Sequence, residues 1–255
     1  MKQSRTRTLL ALLLTLAVLA GAGFTRTLAD GAPIVTLYSP AASSENAAIS
    51  VNQKIIFSAN KSVKAAGGKV TVSDGTTAYT AGASQATILG GDTGPWYLVF
   101  DIGAFKNGGE PLALVNDKTY TVSLEAGAFA DASNDSACAA VSASFRTVAA
   151  DAVSEPVAVV YTGVGSASVV SGQAVAKGTE VRFTLPSAGA NTYERSVRIN
   201  GAAADISLGG HVLTGDLEVY VIRKPSAWPE GAAVEISGMS GASPTIGETL
   251  SGALT

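Results

Sequence analysis

From Pro33 onward, apolar and polar residues alternate in short runs separated by Gly, Pro, Asn and Asp. Period-two alternation places one set of side chains on a core and the other in water, so these runs predict β-strands. Residues 34–38 form the first, stopped by Ser39-Pro40. In residues 54–59, Ile55 and Phe57 face one way, and Ile56 on the opposite face is expected to lie under a loop. Residues 69–73 lead into Asp74-Gly75, a tight-turn signal, and 78–80 return from it. In residues 96–102, Trp96, Leu98, Phe100 and Ile102 share a face. Residues 118–147 read as a strand pair, with Tyr120, Val122 and Leu124 in one strand and Val141, Ala143 and Phe145 in the other. About seven strands separated by turn signals predict a β-sandwich over residues 33–148. No stretch carries an amphipathic helix of ten or more residues.

Residues 149–156 are small and acidic, end in proline, and read as a linker. A second β-rich module is expected over 157–224, with strands at 157–161, 167–170, 180–185, 196–199 and a last one carrying Leu217, Val219 and Val221. The tail, 225–255, contains one further strand-like run at 234–238, and 244–250 has the look of another repeat beginning. An unpaired apolar edge there would favour self-association with another chain. The whole reading is all-β: a sandwich followed by a second small β-rich module.

The N-terminus changes the expected location. Lys2, Arg5 and Arg7 precede an apolar run from Leu9 to Ala20, and Ala20-Gly21-Ala22 offers a small-x-small cleavage site. This is the pattern of a secretory signal peptide over 1–22, followed by a short leader, 23–32. The apolar run is shorter than the ~20 residues that span a bilayer, so no membrane span is expected in the mature chain. The formal charge of −3 becomes three units more negative if the three basic residues leave. That balance gives no reason to expect nucleic-acid binding, which needs clustered Lys and Arg. The single cysteine, Cys138, excludes an internal disulfide and reads as a small residue near a strand start.

Tyr38-Ser39-Pro40, Ile55-Ile56-Phe57-Ser58, Val63, Tyr120-Thr121-Val122, the run from Ala126 to Asp131, and Phe145-Arg146-Thr147 together resemble the bacterial Ig-like domain of S-layer and other surface proteins. The resemblance covers residues 33–148 and implies an Ig-like sandwich used as a spacer or binding module. The sequence departs from that family at Asn60-Lys61-Ser62. Residues 175–181, 196–201 and Gly215-Asp216-Leu217-Glu218-Val219 resemble a divergent internalin B-repeat, which implies a small β-rich repeat of cell-surface proteins.

Candidate chemistry is sparse. His211 is the only histidine, so any Ser-His-Asp arrangement would have to use it. No Gly-x-Ser-x-Gly elbow presents a serine, and Gly90-Gly91-Asp92 lacks the lysine of a phosphate loop. Asp131, Asn134 and Asp135 are candidate calcium ligands, since hard cations take oxygen ligands at short spacing. The same residue types also form turns without any ion. No other cofactor is expected. Trp96, Tyr97, Tyr193, Tyr220 and Trp228 are candidate aromatic platforms for carbohydrate, with Trp96 read as core and Trp228 as the exposed one. The expectation is a secreted, extracellular, non-enzymatic cell-surface protein acting as a structural, spacer or adhesion module. Its partners would be a cell-surface protein, a polysaccharide, or another copy through edge strands. A carbohydrate-binding module and the non-catalytic portion of a larger surface enzyme are the alternatives.

Overall fold

The computed structural model describes residues 31–90, 94–186, 193–207 and 209–223. The expected signal peptide, most of the leader, and the tail with Trp228 lie outside them. Among the described residues, regular structure is β-strand apart from two short 3-10 turns at Ala83–Gln85 and Ile102–Ala104, so the fold is all-β. No described helix is long and apolar enough to cross a membrane.

The first module contains β1 (Val35–Ser39), β2 (Lys54–Ala59), β3 (Val63–Ala65), β4 (Lys69–Ser73), β5 (Ala78–Gly82) and β6 (Thr87–Leu89). It continues through β7 (Trp96–Asp101), β8 (Lys106–Asn107), β9 (Glu110–Pro111), β10 (Thr119–Leu124), β11 (Phe129–Asp131) and β12 (Val141–Arg146). One sheet has the order β1-β2-β7-β6, the other β12-β10-β4-β5-β8-β9, and β11 pairs with β3 beside them. The two sheets pack face to face as a β-sandwich. Ile55, Phe57, Leu98 and Phe100 from the first sheet share one core with Val70, Val72, Tyr120, Val122 and Phe145 from the second. Phe57 and Phe100 meet edge to face at 6.3 Å, a geometry that the ring quadrupole favours.

The expected pair at 118–147 is present. β10 and β12 run antiparallel with Tyr120 opposite Phe145 and Leu124 opposite Val141. The Tyr120 and Phe145 rings stack at 5.7 Å. The segment that connects β10 and β12 contains β11, which pairs with β3. The last residues of the leader are held by the fold: Ala32 is buried, and the Gly31 carbonyl accepts a hydrogen bond from Lys61 Nζ at 2.8 Å.

The second module contains β13 (Pro156–Thr162), β14 (Ser166–Ala167), β15 (Gln173–Ala176), β16 (Glu180–Val181) and β17 (Phe183–Thr184). β18 (Tyr193–Ile199), β19 (Ala202–Ala203), β20 (His211–Val212) and β21 (Leu217–Arg223) complete it. A five-stranded sheet, β15-β13-β21-β18-β19, is covered on one face by the ribbons β14-β17 and β16-β20. β13 and β21 are parallel neighbours, a pairing that nothing in the local pattern specifies. The strand expected at 167–170 shrinks to Ser166–Ala167. The one expected at 180–185 splits at Arg182, because its two halves pair with different strands. At the break, Ser168 N donates to the Arg182 carbonyl at 3.0 Å, and Arg182 N donates to Ser168 Oγ at 3.0 Å.

Candidate functional site

Four strands are apolar on both faces. In β2, Ile55, Ile56 and Phe57 are all fully buried. In β7, Leu98 and Phe100 enter the sandwich core, while Tyr97 and Val99 point out of it. In β13, Val157 and Val159 face the second module's core, and Val160 faces away. In β21, Val219 and Tyr220 divide in the same way. The outward residues meet one another: Ile56, Tyr97 and Val99 of the first module form one cluster with Val160 and Tyr220 of the second, and Tyr38 and Leu89 pack on it. Ile56 is therefore covered by a sheet of the second module, not by a loop. An apolar outer face would be left in water if the modules hung free on a linker, and burying it favours docking at roughly 25 cal/mol per Å².

Backbone continuity reinforces the contact. Ala48 N donates to the Gly172 carbonyl at 2.9 Å, and Ala174 N to the Asn46 carbonyl at 2.8 Å. Gln53 Nε2 donates to the same Gly172 carbonyl at 2.9 Å. Gly172 has φ of +85°, and a Cβ there would lie 2.9 Å from Pro40 Cα, so only glycine allows this approach. Asp216 joins the modules through the same stretch of the first, residues 46–53. Its carboxylate accepts from Ser50 Oγ, from Asn52 Nδ2 at 2.7 Å and from Ala158 N at 2.7 Å.

A charged group is set into the same interface. Glu218 is 2% exposed. Its Oε2 lies 3.5 Å from Lys54 Nζ and accepts from the Tyr220 hydroxyl at 3.3 Å. Lys54 Nζ also contacts Asp101 Oδ1 at 2.6 Å, on the neighbouring strand. Burial, and then the Glu218 charge, push the Tyr220 hydroxyl far above the usual phenol range. Tyr38 is raised for the first of these reasons. Both phenols therefore stay neutral. Beside Glu218 the two outer faces diverge and leave a cavity of about 200 Å³, lined from both modules.

The residues singled out in the sequence are dispersed. Asp131 Oδ1 accepts from Ser133 Oγ at 2.6 Å and from Ser133 N at 2.8 Å, which hold its carboxyl below the usual range. Asn134 Oδ1 accepts from Ser136 N at 2.9 Å, and Asp135 pairs with Lys64 at 2.5 Å. These contacts account for the turn composition without an ion. Among the described residues, no group of three or more His, Cys, Asp or Glu is placed to hold a metal. His211 is half-buried on β20, and its Nε2 is buried without a hydrogen-bond partner, so no serine is paired to it there. Cys138 is a buried core residue.

Of the aromatic candidates, Trp96 packs on the sandwich core as expected. Tyr97 and Tyr220 are spent on the module interface and present no open platform. The Tyr193 side chain and Trp228 lie outside the described residues. The sequence offers no signal for Lys54 at this interface, and Asp216 and Glu218 enter it only as part of the Gly215–Val219 resemblance, with no role at a site. The available signal was the unbroken apolar runs in β2, β7 and β13, which mark strands buried on both faces rather than one.

No protein-family model matches the chain, and no curated protein matches it. Among solved structures, a titin structure is similar at 9% identity over 76% of this chain and 98% of that one, with a TM-score of 0.22. The CbhA fibronectin(III)-like modules of Clostridium thermocellum are similar at 13% identity over 75% of this chain and 95% of theirs, with a TM-score of 0.18. Similarity at that level carries no argument about this chain, whose all-β character rests on its own strands.

Proposed function

We propose that this chain is a secreted, non-catalytic bacterial cell-surface protein in which two docked β-modules act as a stiff structural, spacer or adhesion element. The observation that supports this reading is the module interface. A spacer needs a fixed angle between its units, and here an apolar cluster, shared backbone hydrogen bonds and the Asp216 contacts all resist bending at the linker. The signal-peptide pattern at 1–22 supports export. The partner in such a role is another surface protein or a polysaccharide. Expression of the full chain in a bacterial host, with cell fractionation and N-terminal sequencing, tests the reading. Envelope or medium protein beginning at Gly23 is the expected result. An uncleaved chain confined to the cytoplasm would overturn it.

A further inference from the structure

We propose that the cavity between the two modules binds a single neutral sugar residue. The inference rests on the adhesive part of the reading above and names its ligand class. The cavity, about 200 Å³, is below the roughly 300–1,000 Å³ of pockets that take drug-sized ligands, so it suits one ring and not a chain.

Charge selects among small ligands. Lys54 and Arg198 line the cavity with two positive charges, Asp101 and Glu218 with two negative ones. The local sum is zero, and a charged ligand would meet a like charge on some side without a net opposite charge to compensate. A neutral molecule carrying both donors and acceptors fits better. Glu218 is buried, and both of its contacts, to Lys54 and to Tyr220, fall on Oε2. Oε1 has no hydrogen-bond partner among the described residues and is an acceptor for a ligand hydroxyl. Arg198, opposite Glu218 across β18 and β21, has an exposed guanidinium without a carboxylate partner among the described residues. Its fork of N–H groups is suited to two adjacent hydroxyl oxygens.

The remaining wall is mixed: Thr87, Ser196 and Tyr220 carry hydroxyls, and three residues are aliphatic. Of the aliphatic ones, Leu89 and Val99 come from the first module and Ile222 from the second. A pyranose has polar edges and a face of C–H groups, so it matches one carboxylate, one guanidinium and these aliphatic side chains at once. Water-filled interface gaps need only polar partners, and this one has aliphatic side chains as well. Because the walls come from both modules, binding is coupled to docking, and a ligand that bridges them also strengthens the interface.

The test is calorimetric titration of the full chain with the methyl glycosides of glucose, galactose and N-acetylglucosamine, with glucuronic acid and glucosamine as charged comparators. At least one neutral glycoside is expected to bind at least tenfold tighter than either charged sugar. Arg198→Ala, at an exposed position, should weaken that binding at least tenfold while leaving the unfolding transition in place. No binding by any neutral glycoside, tighter binding of a charged one, or an unchanged affinity in Arg198→Ala would each overturn the proposal. None of these results bears on export, which the cleavage experiment reads separately.

Discussion

At the scale of single residues, the interface depends on how Glu218 is compensated. The carboxylate is almost fully out of water, and its side chain and that of Lys54 are 3% and 11% exposed. Removing one partner of such a pair leaves a buried charge unpaired, which costs about 3–5 kcal/mol. Lys54→Met should therefore destabilise the protein by roughly 3 kcal/mol in urea unfolding. The double variant Lys54→Met, Glu218→Leu should recover part of that loss, because no charge is then stranded. Additive losses in that cycle would show that the two side chains are not coupled. The Lys54 contact with Asp101 is different: Asp101 is 76% exposed, and such a pair contributes little.

Asp74 gives a residue-scale pH effect. The Lys118 ammonium at 2.5 Å, then the amides of Thr77 and Thr76, hold its carboxyl well below the usual range. In the unfolded chain it titrates at about 4. A depressed folded value stabilises above that pH, and the contribution is lost as pH falls toward the folded value. The stability advantage of the natural protein over Asp74→Asn should therefore narrow steadily as the pH is lowered below about 4. An advantage independent of pH would remove this assignment.

At the scale of elements, β2, β7, β13 and β21 each serve two layers. Simple alternation made the strands of the first module legible, and Leu98, Phe100, Tyr120, Val122 and Phe145 all enter the core that their period predicts. The same logic failed for Ile56. Period two says which residues are opposite the core, but not what lies on that side. The candidate site was less legible still: Glu218 sits in a strand whose apolar neighbours Leu217 and Val219 face the other way, so its own position reads as solvent. It is buried because another module covers it. Val160 tests this element. It is fully buried and lies beside Glu218 on β13. Val160→Asp would place a second carboxylate there, so the modules should separate. Limited proteolysis at 149–156 should then accelerate at least tenfold, while near-native β circular dichroism is kept. Unchanged cleavage would mean that the interface does not hold the linker closed.

At the scale of the whole described structure, two cores are joined by a third apolar cluster and a set of polar contacts. Units that share buried surface of this kind unfold together. The expected outcome in scanning calorimetry is one transition for the natural chain, and two for Val160→Asp. Two transitions in the natural protein would show that each module is stable alone and that docking adds little. A single transition fits a spacer, since a load or a ligand at one module is then felt by both.

The sequence by itself determined the all-β character and the strands of clear alternation, such as 54–59, 69–73 and 96–101, with the faces they turn to the core. These follow from local alternation and turn chemistry, which act within a few residues. Only the tertiary structure decided the parallel pairing of β13 with β21, the switch of partners at Arg182 and the docking of the two outer faces. Those features join residues far apart in the chain, such as Asn52 with Asp216 or Lys54 with Glu218. Their energies depend on which surface excludes water from which, and that is a property of packed layers rather than of any one run of residues.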